Sequence, residues 1–519
     1  MSTDPQQLLN SFRNQIDPTV TGLTLAVLGV FVLVRAAFPD WVANEFIPGV
    51  RGGMLDHFGP LFLILMVLFV LFAVAVIVGP WGDIRLGGQD ATPTYSYPAY
   101  FAMFFSAGIA AGIVFWAPTE ALFHFSSPAP FAGSGGESAA AAGAMQTVFF
   151  HWGISAWSAY VAIGIPIAYY AYNRGAPLRL SSRLLPLVGR DRLDHPAVKL
   201  VDVLAVFATI GGVGTSVGLV GGQFLSGVEY QWGIETSAVD TLIVVGGITI
   251  IFTVSVITGV KRGIRRIAGI NVVLFVLMGL LTLVLGPTEY ILTNGALAFV
   301  DYAVNFVGMS FAGVTSGADW YGAWTLFYWV WWFSWAPFAG LFLASISRGR
   351  TLRTVALTGV FASGFATLAW FAIVSNASLH AQTTGVVDIL GLGGEFTLRD
   401  IAGFALYNAL PLGELLVFLL LSLIVTWIVT SADTSTLVIS IHGVKPGVAP
   451  GTAARAFWGL LQGTMAFGLI VVGGANALQS AAVITGGPIG IIALVGIVGL
   501  FYHFWGETRE NVMAEPAQE

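Results

Sequence analysis

Apolar residues fill this chain in long blocks, separated by short polar stretches. A bilayer core of about 30 Å needs roughly 20 apolar residues in helical form. Twelve blocks meet that length, at about 20–38, 59–79, 98–124, 143–172, 199–225, 238–260, 267–288, 323–346, 354–376, 407–438, 454–474 and 480–504. Numbered in that order, they predict twelve transmembrane spans. The stretch 296–311 is amphipathic and half-length, so it is expected to lie along the surface rather than cross.

Two blocks carry residues that weaken helices. Span three contains SAGIAAG (106–112), and span eight contains WAPFAG (335–340). They stand five spans apart, and an odd offset reverses the direction of crossing. Broken helices at matching places of inverted halves point to a binding site near mid-membrane. The plainer reading is that glycine and proline are common in membrane helices.

Composition agrees with a lipid solvent. The 519 residues are 56% hydrophobic and 9% charged, with mean hydropathy +0.83. Soluble domains hold roughly 25% charged residues. The first eighteen residues are polar, and the first apolar block lacks the flank and cleavage site of a signal peptide, so it is expected to be span one. Cysteine is absent, which excludes disulfides, thiolate nucleophiles and Cys-ligated metals. The net charge is −6, and no basic run suits nucleic acid. The cluster KRGIRR from Lys261 sits between spans six and seven, where topology accounts for it. With an inside N-terminus, eighteen Lys and Arg fall inside, and three, Arg35, Arg51 and Arg399, fall outside. That split predicts a multi-pass plasma-membrane protein with both termini cytoplasmic.

The run WTLFYWVWWFSWAPF (324–338) places five tryptophans between 324 and 335. An interfacial belt sits at helix ends. Trp324 to Trp335 covers about 16 Å at 1.5 Å per residue, half the hydrocarbon thickness. A belt therefore accounts for Trp324 alone, as an anchor. Bulk packing is the other plain reading, but each indole N–H wants a partner. Trp324, Tyr328, Trp331 and Trp335 fall on one helical stripe, with Trp332 beside it and Trp329 toward a neighbouring helix. Pro337 removes a backbone donor just beyond. An aromatic hollow suits a quaternary ammonium, which has no N–H to donate and gains about 0.5–2 kcal/mol per ring from π faces. A facing set is expected in FFHWGISAWSAY of span four: Trp157 and Tyr160, with Trp152 earlier. Trp152 also reads as an interfacial anchor.

At these motifs the chain resembles the betaine/choline/carnitine transporters. WTLFYWVWWFSWAPFAGLFLASISRGRTLR, AGIAAG, HWGISAWSAY and TSADTST (430–436) are similar to that family's distinctive stretches in order and spacing, over about 15–505. The resemblance implies an all-α integral membrane protein of 12 transmembrane helices with the leucine-transporter-type inverted five-helix repeat. The repeats would cover 98–288 and 323–504, after two extra helices in 19–97. A cytoplasmic tail over 1–18, an outer amphipathic helix and loop over 289–322, and a short cytoplasmic tail over 505–519 complete it. It implies an aromatic box of Trp152, Trp157, Tyr160, Trp331, Trp332 and Trp335. Gating aromatics would be Phe115, Phe327 and Phe342, and members are typically homotrimers.

Departures from the family shape the substrate reading. Sodium/betaine members usually read Gly-Met-Gly-Ile-Gly in span three; here the passage is Gly108, Ile109, Ala110, Ala111 and Gly112. Ala110 narrows it, which leaves substrate size open. Choline carriers hold an acid where Gly112 stands, and a zwitterion needs no such countercharge, so Gly112 favours betaine. Sodium-independent carnitine exchangers hold a thioether where Ala339 stands and a basic residue in span five. Residues 201–225 contain no basic residue, so ion coupling survives.

A hard cation wants several oxygens. The break in span three frees carbonyls, and Thr430 and Ser431 offer adjacent hydroxyls on span ten. The resemblance implies a sodium site from that pair with the carbonyls of Ser106 and Ile109. A second site in sodium-coupled members uses span-five hydroxyls near the Phe338 ring; here Thr215 and Ser216 are nearest, Thr209 less so. A membrane Ser or Thr otherwise bonds the carbonyl four residues back, and for Thr215 and Ser216 both readings stand. Asp433 is an acid within a span and so a functional hypothesis by default, with a structural role preferred to a proton relay. Glu120, near the outer end of span three, is expected to meet solvent.

The expected function is secondary active uptake of a quaternary-ammonium compatible solute, glycine betaine foremost, by sodium-coupled symport. Choline or carnitine transport, proton-coupled or by exchange, is the alternative. Sodium is the coupling ion, no cofactor is expected, and membrane lipid surrounds the spans. Two other classes fit less well. GTSVG (214–218) matches the G-x-S-x-G of hydrolases, but Ser216 lies inside an apolar span and no histidine is expected at mid-membrane. A channel lines its pore with polar groups, whereas a tight aromatic box holds its solute. Osmosensing members carry a long basic C-terminal helix that touches anionic lipid. The tail here, FWGETRENVMAEPAQE, is short and mostly acidic, so transport without that activation is expected.

Overall fold

A computed structural model describes residues 12–109, 112–132, 135–316, 319–394 and 396–506, and nearly all of them are helical. Among these residues, 12 helices are long and apolar enough to cross a membrane. They are not quite the expected twelve. Span three is described as Tyr97–Ile109, Gly112–Trp116 and Glu120–Ser126, with a turn over 117–119 between the last two. Ala110, with Ala111, lies outside the described residues. In place of span three, Thr288–Val314 qualifies by length and apolarity.

That helix, Thr288–Ser316, is 29 residues long, well beyond the expected surface stretch. Parity decides whether it crosses. Arg85 Nη1 donates to Gly349 O at 2.7 Å, and Gly349 N donates to Leu86 O at 2.8 Å. The loops after spans two and eight therefore share one face. Spans three to eight make an even number of crossings between those loops, and one more would separate them. Thr288–Ser316 stays on one side, packed on Ile47–Val78, Glu137–Trp152 and Ser363–Thr383, with Val300, Val304 and Val307 exposed.

Two helices, Ala238–Leu285 and Thr452–Gly506, each hold two spans. In the second, Gly474 has φ 56, a left-handed conformation open to glycine without strain, and it divides Thr452–Val472 from Gly474–Gly506. Span five, Pro196–Trp232, packs most extensively along Thr452–Gly506, and span ten, Gly413–Gly443, along Ala238–Leu285. The corresponding helix of each half thus leans on the last two helices of the other, as inverted five-helix halves require.

Span eight corrects an expectation. Thr325–Ile346 runs as one helix through Pro337, with every side chain except Ser345 buried. The reason is packing. Glycines on the facing helices admit its bulk and let backbones approach closely. A Cβ on Gly164 of span four would lie 2.8 Å from Gly340 O, and one on Gly340 would lie 2.7 Å from Ile163. A Cβ on Gly212 of span five would lie 2.6 Å from Ser334 Oγ. Pro337 costs one hydrogen bond, and this enclosure holds the helix regardless. An unexpected interruption lies in span four instead: Glu137–Trp152 ends at Gly153 (φ −81, ψ −139), and Ile154–Arg174 follows.

Candidate substrate and ion site

The Gly164–Gly340 approach brings the aromatic sets of spans four and eight face to face. Trp152, Trp157, Tyr160, Trp331, Trp332 and Trp335 are each at most 2% exposed. Their rings form one connected cluster. Trp152 meets Trp332 edge-on at 5.0 Å, and Trp331 stacks on Trp332 at 5.3 Å. Trp157 lies 5.6 Å from Tyr160, Tyr160 lies 6.4 Å from Trp332, and Trp335 lies 6.3 Å from Trp331. Span three passes alongside. A Cβ at Gly108 would come within 2.9 Å of Trp157, and one at Gly112 within 3.6 Å of Trp152. Position 108 therefore tolerates no side chain without movement, while position 112 has ordinary contact room.

The polar atoms of the cluster divide into two groups. Trp157 Nε1 donates to Thr367 Oγ1 at 3.1 Å, Trp332 Nε1 to His151 O at 3.0 Å, and Trp152 Nε1 to the Glu120 carboxylate. In an unbroken helix the His151 carbonyl would take the N–H of Ser155; the interruption at Gly153 frees it for Trp332. By contrast, Trp331 Nε1, Trp335 Nε1 and Tyr160 OH are buried without a partner. Buried polar groups normally find partners, so these three are where a ligand's acceptors can bond.

The gating candidates occupy different surroundings. Phe327 stacks on Trp331 at 5.6 Å and also lines a cavity of about 760 Å³ with Trp116, Phe123, Trp324 and Arg399. It stands between that cavity and the box. Phe115 is buried beside Trp116, with ring centroids 6.0 Å apart. Phe342 is buried on span eight, about two turns past Trp335. Trp324 is not a lipid-facing anchor: its ring lies 4.5 Å from His124 and 5.7 Å from Phe123, and it lines the same cavity. Trp152, likewise, is interior rather than interfacial. Trp329 faces span four, 5.0 Å from Phe150.

Glu120 is the second correction. Rather than meeting solvent, it is fully buried. Tyr328 OH donates to Oε2 at 2.5 Å, Trp152 Nε1 donates to the same oxygen, and His151 Nδ1 and His124 Nε2 lie 2.9 and 3.3 Å from Oε1. Sequence reasoning missed this hub. Its only signal was an acid and two histidines flanking the aromatic motifs.

At the ion candidate, Ser106, Thr430 and Ser431 come together. Ser431 Oγ donates toward Ala107 O at 3.2 Å and Ser106 O at 3.4 Å. Asn271 Nδ2 reaches both Ser106 Oγ and Thr430 Oγ1 at 3.0 Å, and Trp427 Nε1 donates to Ser106 O at 2.7 Å. Ile109 is buried, at the end of the described stretch Tyr97–Ile109. Asn271 Oδ1 is buried and unpartnered. The result is a set of hard oxygen donors suited to a small cation. Asn271 and Trp427 were not anticipated, although Asn271 is the only amide side chain in span seven.

The second ion candidate divides. Thr215 Oγ1 lies 2.6 Å from Gly211 O and 2.5 Å from Leu478 O, and Thr209 bonds Ala205 O at 2.8 Å. Both follow the plainer back-bonding pattern. Ser216 Oγ is buried without a partner, one turn from Gly212, which abuts Trp335. Phe338 lies 5.2 Å from Trp335. Asp433 Oδ2 accepts from Ser255 Oγ at 2.5 Å, which ties span ten to span six.

The sequence match is decisive about family. The description BCCT, betaine/carnitine/choline family transporter, matches residues 19–509. This chain belongs to the betaine/carnitine/choline transporter family. It is a multi-pass membrane transporter and not an enzyme. Ser216 of GTSVG accordingly sits in the middle of Pro196–Trp232, not on a strand-to-helix elbow. Within the family, a probable glycine betaine transporter of Desulfitobacterium hafniense is 36% identical over 482 residues, 92% of this chain and 95% of that protein. The glycine betaine transporter OpuD of Bacillus subtilis is 34% identical, covering 96% of each chain. A glycine betaine/proline/choline transporter of Vibrio parahaemolyticus is 30% identical, over 95% of this chain and 91% of its own.

Proposed function

We propose that this family member takes up glycine betaine, or a closely similar zwitterionic quaternary ammonium solute, together with sodium. The observation that carries the reading is the buried box: six rings in contact, with three donors left unpartnered in its wall. The rings suit a methylated ammonium, and Trp331 Nε1, Trp335 Nε1 and Tyr160 OH suit a carboxylate. Gly112, where choline carriers hold an acid, and the names of the relatives support the same solute. Sodium at Ser106, Ile109, Thr430 and Ser431, aided by Asn271, would fix the interrupted span three against span ten. A second sodium would lie at Ser216 near Phe338. Halves over 98–288 and 323–504 then rock about the box, with Phe327 closing its outer side and Phe115 and Phe342 completing the gates. Both termini face the cytoplasm of the cell membrane, and the working form is a homotrimer.

The test is binding and counterflow of labelled glycine betaine in proteoliposomes, with and without sodium, against choline and carnitine. Trp332→Ala should weaken glycine betaine by about 30-fold, the upper range of one ring's contribution. Unchanged affinity refutes the box, and the absence of accelerated exchange would point to a channel.

A further inference from the structure

Glu120 has no part in the transport scheme above, yet it is wired into the wall of the box. Four donors converge on its buried carboxylate: His124, His151, Trp152 and Tyr328. His151 Nε2 is itself held at 3.0 Å from Thr325 Oγ1. Hydrogen bonds to a carboxylate favour its charged form. Among the described residues, the ion-pair contacts of Glu120 are only with the two histidines, and neutral histidines leave one net negative charge.

That charge reaches the box through two rings. Trp152 belongs to the box, and Tyr328 lies 6.0 Å from Trp331 and 6.2 Å from Trp332. A ring whose N–H or O–H bonds an anion carries more electron density on its faces, which strengthens its hold on a cation. The carboxylate also attracts a positive group directly through surroundings that screen poorly.

The ligand atoms of Glu120, His124 and His151 lie within 4.8 Å of one another, a set that could hold a divalent metal. The bonding favours the anion instead. A metal on His124 Nε2 would place that ring's proton on Nδ1, which is buried with no partner to receive it.

We infer that Glu120 is the fixed countercharge of the aromatic box, a positioning residue that acts through Trp152 and Tyr328 and selects a solute with positive charge on its bulky end. This rests on the proposed reading of what occupies the box. The test uses the full chain in proteoliposomes, with two competitors against labelled glycine betaine. One is glycine betaine itself. The other is 3,3-dimethylbutanoate, the same shape with carbon in place of the charged nitrogen. Wild type is measured first, and failure to bind glycine betaine would remove the box reading rather than this one. With wild-type binding in hand, Glu120→Gln should weaken glycine betaine about ten-fold or more and leave dimethylbutanoate unchanged or tighter. Trp152→Phe keeps a ring but cuts the N–H link, and should move selectivity the same way by a smaller factor. It also carries the test if Glu120→Gln does not fold. Equal weakening of both ligands, or no change in either, overturns the inference.

Discussion

Spans three and eight stand at matching places in the two halves, and both carry residues that weaken helices. In span three a turn over 117–119 divides Gly112–Trp116 from Glu120–Ser126, and the carbonyls of Ser106 and Ala107 accept from side chains of span ten. In span eight the helix runs through Pro337, and its contribution to the site is made by side chains. The difference is bulk. SAGIAAG offers few side chains for its neighbours to grip, whereas WVWWFSWAPF is enclosed on every side. One span supplies backbone oxygens and the other supplies rings. In span eight the helix breaker removes one bond, and the surrounding packing holds the helix regardless.

The strongest way to break this contrast is to deny span eight its enclosure. Gly340→Val would drive a branched side chain into Ile163 and the Tyr160 carbonyl, 2.7 and 2.8 Å from its Cβ. Overpacking of this kind costs about 1–3 kcal/mol, and separating spans four and eight should abolish measurable glycine betaine binding with a lowered Tm. Binding like wild type would show that the close approach does not build the box. A smaller effect is expected on the span-three side. Ser431→Ala removes a hydroxyl from the Ser106 and Ala107 carbonyls and should weaken sodium about ten-fold, in line with one oxygen ligand or hydrogen bond. Glycine betaine affinity at saturating sodium should hold, and a sodium titration of binding checks both. The least effect is expected from Pro337→Ala. It restores a backbone donor to a helix already continuous, so transport should stay within about three-fold and Tm should hold or rise slightly. A large loss of uptake would mean that span eight must open at Pro337 during transport.

Much of the box was legible because it rests on local periodicity. The stripe of Trp324, Tyr328, Trp331 and Trp335 follows from 3.6 residues per turn, and Trp157 and Tyr160 follow from the same rule. The structure brings both sets together. The hub at Glu120 was not legible. Its partners come from three separate segments, and its position near the end of an apolar block looked like exposure. Asn271 and Trp427 were missed for a related reason: each meets Ser106 across a large separation in sequence, which no pattern within span three could announce. The interruption at Gly153 was overlooked because one glycine in an apolar run resembles many others. Only the freed His151 carbonyl, taken up by Trp332, shows what it does.

By itself, then, the sequence determined the solvent, the places of most of the spans, and the face on which the rings line up. These depend on composition and on helical period, which are local properties. Tertiary structure decided that span eight runs unbroken through Pro337, which indoles are left without partners, and where the buried charge sits. The reason is that a backbone bond or a buried polar group is costly or not according to what stands against it, and here those neighbours come from distant parts of the chain.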